Sequence, residues 1–215
     1  MTVFSVGTDA PKSDGQSRFD VSLRLDIPQA AEGLGLVMQS GVLLECTTGI
    51  SLEAMLLGEF RLDAAQRKAI DVFFLNGMPV DNPAEAIVTT GSRLAIAAAL
   101  PGLAGLAMRS GSAVAAMRAG ITYRGEESDA VQPAQGYITL TLFSLALPLL
   151  APVFFRRGVL VQARKLVPYM RPALVQTVQV DGQEQDFTQC AALLAALPEA
   201  ALVRLTATFL TQIKK

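Results

Sequence analysis

The sequence predicts a mixed α+β chain of two small domains. Three observations predict it. β-rich runs with period-two alternation recur along the chain between capped, helix-forming stretches. A polar, Pro-containing connector from Arg124 to Gly136 divides the runs into two series. The length of 215 residues is enough for one large domain or two of about 100 residues each, since a domain holds roughly 100–200 residues.

Residues 1–20 are polar and read as a loosely held segment. Residues 21–123 form the first expected domain. Val21 to Ile27 alternates apolar and charged residues, and Gly41 to Cys46 is a second β-rich run, so the two are expected to pair antiparallel. Ser51 is a capping residue ahead of strong helix formers to Leu57, and the polar stretch Asp63 to Ala69 extends that helix or starts another. Ile70 to Leu75 reads as a buried strand. Asn76-Gly77 then signals a tight turn, because both residues tolerate positive φ, and Met78 to Val80 is the return. After the Asp81-Asn82-Pro83 turn and Thr90-Gly91, Ser92 to Ala98 makes a last strand.

With 124–136 as linker, residues 137–215 form the second expected domain. It reads strand 138–143, helix 146–157 ended by Gly158, strand 159–162, strand 173–180, an Asp181-Gly182 turn, helix 186–197 and strand 202–210. The order βαββαβ is that of a ferredoxin-like sandwich.

Composition narrows function. Only 17% of residues are charged, against about 25% in an average soluble protein, so much of the chain must be buried in cores or against a partner. A protein partner or a homo-oligomer is the expected destination of that apolar surface. The net charge of −1 supplies no field for nucleic acid. Histidine is absent, which removes the commonest general base and metal ligand. Cys46 and Cys190 have neither zinc nor dithiol spacing and read as reduced core residues. The first residues lack a basic start followed by an apolar run, so the chain reads as cytoplasmic. Tyr137 to Phe155 carries no charge and is almost long enough to span a bilayer, but its alternating first part and Pro148 and Pro152 read as a strand and then a helix.

The richest candidate site is Gly102 to Arg118. Arg109, Ser110, Gly111, Ser112 and Arg118 offer free backbone amides and two guanidinium groups for an anion between the expected domains. No nucleotide signature is present, and the competing reading is close helix packing with the arginines in water. Glu126, Glu127 and Asp129 lack ligand spacing and read as a solvated loop. No catalytic residue, metal or cofactor is nominated: Asp20, Asp26, Glu45 and Glu53 are scattered, Ser92, Ser110 and Ser112 have no base, and Tyr123, Tyr137 and Tyr169 are too separated to stack bases.

One resemblance adds to this. Val72 to Val80, then Thr90 to Ala98, then Leu100-Pro101-Gly102-Leu103-Ala104-Gly105 resemble the ubiquitin-like β-grasp sulfur carriers of molybdopterin and thiazole synthesis. The resemblance covers about residues 40–105 and implies a β-grasp fold for the first domain. Carriers of that family form a thiocarboxylate on a terminal Gly-Gly, whereas here Gly102 and Gly105 are unpaired and the chain continues to Lys215. Three functions are therefore carried forward: a non-catalytic adaptor or assembly protein, an anion-binding protein or enzyme with an interdomain site, and a precursor or fusion form of a sulfur carrier cut near Gly105.

Overall fold

The computed structural model describes residues 22–28, 32–98, 122–123, 132–172, 175, 177–198 and 201–210. Its elements are β1 (Ser22–Pro28), α1 (Glu32–Gly35) running into a 3-10 turn (Leu36–Ser40), β2 (Val42–Thr48), β3 (Ile50–Ser51), α2 (Leu52–Ala54) running into a π turn (Met55–Glu59), and α3 (Ala64–Lys68). Then come β4 (Val72–Leu75), β5 (Met78–Pro79), β6 (Ile87–Val88), β7 (Arg93–Ala98), β8 (Ala134–Ser144) and α4 (Ala146–Arg157). Last are β9 (Val159–Gln162), α5 (Ala163–Leu166), β10 (Thr177–Val180), β11 (Gln183–Gln185), α6 (Phe187–Ala196) and β12 (Leu202–Leu210).

The fold is mixed α+β, as the sequence predicts. Ten strands form one mixed sheet in the order β11-β10-β1-β12-β9-β2-β8-β7-β4-β5, while β3 and β6 make a separate two-strand ladder. β1–β12 and β7–β8 run parallel. Strands from either side of residues 124–136 are interleaved: β8 lies between β2 and β7, and β1 between β10 and β12.

This order corrects two expectations. β1 pairs with β10 and β12, not with β2. The last four expected strands do not make a ferredoxin-like sheet of their own, because β8 is separated from β9 by β2 and β10 from β12 by β1. The physical reason is that alternation marks which face of a strand is buried and leaves its neighbours unspecified.

The turns follow the local chemistry. Asn76 and Gly77 sit at φ 53 and 85, and Asp181 and Gly182 at φ 50 and 79, so each pair makes a tight hairpin with both central residues left-handed. Asp63 closes a reciprocal capping box with Gln66 at the start of α3.

The core lies on one face of the sheet. On that face Val42 is in register with Leu140, and Leu140 with Leu94, while Leu142 meets Ile96 and Ile96 meets Phe73. Val203–Val161 and Leu205–Val159 continue it into the other half. Across this face lies α4, whose Ala146, Leu147, Leu150, Ala151, Phe154 and Phe155 are all buried in a stripe at helical spacing. Phe154 meets Phe60 edge-on at 5.1 Å, and Phe155 stacks on Phe209 at 6.3 Å. The charge-free run Tyr137 to Phe155 is thus β8 followed by α4, and among the described residues no helix is long and apolar enough to cross a membrane.

Both rings being fully buried, Phe154→Ala is expected to lower stability by about 3–5 kcal/mol, the range for emptying a large aromatic site. Phe143→Ala on β8, 42% exposed, is expected to stay within about 1 kcal/mol. Guanidinium denaturation of both variants checks this; equal losses would mean that α4 does not organise the core.

Candidate functional site

The sheet has a seam. β2 and β9 are joined by a single register pair, Leu43 with Leu160, before β9 gives way to Gly158 and the end of α4. Beyond that point the free edge of β2 is met by side chains. Arg157, the last residue of α4, donates from Nη2 to the Glu45 carbonyl at 3.2 Å, in the place an adjoining strand's N–H would occupy. It also donates from Nη1 to the Glu59 carbonyl at 3.0 Å and pairs with the Glu59 carboxylate. On β12, Arg204 reaches the Glu45 carboxylate at 2.9 Å, and Tyr137 on β8 donates to the other Glu45 oxygen at 3.0 Å.

Gly158 makes the Arg204 crossing possible. A Cβ there would stand 3.3 Å from Arg204 Nε and 3.3 Å from Thr206 Cγ2, and its φ of +95 is one that other residues rarely adopt.

Glu59 is delivered by an unusual stretch of backbone. Ser51 caps α2, accepting from the Ala54 amide at 3.2 Å. The helix then widens: the Phe60 amide donates to the Met55 carbonyl at 2.8 Å, and the Leu62 amide to the Leu56 carbonyl at 3.0 Å. The widened turn buries Leu52, Met55, Leu56 and Phe60 together and leaves Leu57 outside. It ends at Arg61, which holds φ 55. A non-glycine residue in this region stores on the order of 1–3 kcal/mol of strain.

Between this turn and α4 is an open pocket of about 350 Å³, lined by Gly58, Glu59, Phe60 and Arg61 on one side and Val153, Phe154 and Arg157 on the other. The Arg157 guanidinium lies 5.6 Å from the Phe60 ring centroid. Burial pushes the Glu59 carboxyl up, but hydrogen bonds from Arg157 and Thr47 and the charge of Arg157 outweigh it and hold the group below its ordinary value. Burial pushes the nearby Cys46 thiol up to about 11, with Arg157 opposing and Glu59 adding to the rise. Cys46 is an inert core thiol in this setting, and Cys190 is likewise buried with its thiol raised by burial. Both carboxylates of the seam are held by arginines, so the arrangement suits clamping and recognition of charge rather than proton transfer.

Of the residues the sequence singles out, Glu45 is brought into this cluster with Tyr137. Glu53 lies apart, paired with Arg67 at 2.9 Å. Ser92 is buried and accepts from the Thr89 amide at 3.1 Å. Arg109, Ser110, Gly111, Ser112 and Arg118 lie outside the described residues, as do Glu126, Glu127 and Asp129. Among the described residues no group of three or more acidic or Cys side chains is arranged to hold a metal ion. Glu59, Arg61, Arg157 and Arg204 carry no local spacing signal; a positive-φ arginine and a seam between strands are visible only in three dimensions. Compared with known proteins, the chain matches no family model, no curated protein and no solved structure.

Because the folded Glu59 carboxyl is held below its ordinary 4.5, the pairing contributes its full stability above that pH and loses it as pH falls through the folded value. The stability difference between wild type and Glu59→Gln, measured by denaturation across the acid range, is expected to be largest near neutral pH and to shrink below about pH 4.5. A difference that does not change with pH would mean that the Glu59 charge contributes nothing.

Proposed function

We propose that this protein is a non-catalytic adaptor or assembly protein, built on a β-grasp-like half and acting through protein contacts. The observation that carries the reading is the turn between β8 and α4. There Leu145 is 61% exposed and Phe143 42% exposed, on either side of Ser144 at φ 54. The turn joins the strand and the helix at the centre of the fold, so its two apolar side chains are presented from a rigid base. Such presentation suits a contact with a second copy of the chain or with another protein.

The β-grasp reading is supported by the order β2-β8-β7-β4-β5, in which the parallel pair β8–β7 is flanked by antiparallel β2 and β4, as in that fold. The strand β8 follows the others in sequence, so the arrangement is a permuted one. The same placement weighs against a cut sulfur carrier: a chain ending at Gly102 or Gly105 would give up the strand that lies between β2 and β7.

Light scattering of the purified protein is expected to give a multiple of 22.8 kDa that falls to the single-chain mass in Leu145→Asp. A wild type that is monomeric, together with the same proteins captured from native lysate by wild type and Leu145→Asp, would overturn the reading. Intact mass from native cells is expected to show the chain uncut at Gly102 and Gly105; a thiocarboxylate ending at either glycine would instead establish the carrier.

A further inference from the structure

We propose that the pocket between the π turn and α4 binds a small organic monocarboxylate through Arg61, a ligand site that goes beyond the adaptor reading and does not depend on it. Three features coincide there. The pocket, about 350 Å³, falls within the range of roughly 300–1,000 Å³ usual for small-molecule sites. The backbone on one side is a π turn, a rare form that is frequent at functional sites. The next residue but one, Arg61, occupies a left-handed conformation that Gly or Asn would adopt with less strain. The position nevertheless holds an exposed arginine, and its guanidinium has no hydrogen-bond or ion-pair partner among the described residues.

Charge identifies the class of ligand. Arg157 is committed to the Glu59 carboxylate and to the carbonyls of Glu59 and Glu45, so its charge and that of Glu59 cancel. Arg61 then leaves the lining with one positive charge, which a monoanion balances. A phosphate, which carries a second negative charge in much of its population at neutral pH, would bring excess negative charge against Glu59. A planar guanidinium fits a carboxylate with two parallel hydrogen bonds. Phe60 and Phe154 are buried behind the lining, so a ligand meets chiefly the backbone of residues 58–61 and the charged groups beside it, which suits the carboxylate itself.

Amide chemical shifts of the full chain, titrated with benzoate, with neutral benzamide and with inorganic phosphate, test this. Benzoate is expected to give saturable shifts at residues 58–61 and 153–157, with benzamide and phosphate binding at least tenfold more weakly. Arg61→Gln is expected to weaken benzoate at least tenfold. Arg61→Gly is expected to do the same while the thermal midpoint stays level or rises, since glycine relieves the positive φ and a loss of fold is thereby excluded. Absence of saturable benzoate shifts at those amides, phosphate binding as tight as benzoate, or undiminished benzoate binding by Arg61→Gly would each overturn the proposal.

Discussion

The structure depends on the burial of one helix. α4 contributes six buried side chains to a core that both halves of the sheet share, with Phe154 turned to Phe60 in the first half and Phe155 to Phe209 in the second. Fully burying a side chain of this size is worth roughly 1.5–3 kcal/mol. That is enough to outweigh weak local features of the helix. Its N-cap, Leu145, makes no side-chain cap hydrogen bond, and Pro152 removes a backbone donor from its interior. Packing, not propensity, holds it. Because β8 feeds directly into α4 and both pack into the core, the chain carries an uncharged stretch from Tyr137 to Phe155.

The seam between β2 and β9 is the price of joining the two halves around that helix. With one register pair holding the strands together there, backbone groups of β2 would be left without partners. Arg157 resolves this at the Glu45 carbonyl, and Arg204 adds a bridge to the Glu45 carboxylate over Gly158. The charge pairs themselves are partly exposed, where such pairs contribute about 0–1 kcal/mol each. Their importance is geometric: they fix where the π turn and the pocket sit relative to α4.

Much of the local structure was legible in the sequence. The helix 146–157 stopped by Gly158, the strands 159–162 and 202–210, and the Asn76-Gly77 and Asp181-Gly182 hairpins all follow from turn residues and periodicity. Strand neighbours were not legible, since β1 and β12 or β2 and β8 find each other over long stretches of chain through burial alone. The two-residue strands β3, β5 and β6 are too short for any periodicity to mark. The candidate site was largely illegible for the same reason: Glu59 and Arg157 are 98 positions apart, and Glu45 and Arg204 159 apart. In the sequence Glu45 stands out only as one of several scattered acids and Tyr137 as one of three separated tyrosines, and nothing links one to the other.

The parallel pairing of β1 with β12 has a consequence for how the protein is made. β1 leaves the ribosome long before its two neighbours in the sheet, β10 and β12. At about 5–20 residues per second, the roughly 180 residues between β1 and β12 take about 10–35 s to appear. Through most of that interval a strand with alternating apolar residues has neither partner, so this part of the sheet closes only after β12 has emerged. Non-local pairing of this kind makes folding slow. The nascent chain therefore depends on being kept from aggregation while it waits, and a synonymous change that slows translation between the two strands lengthens that wait without altering a single residue.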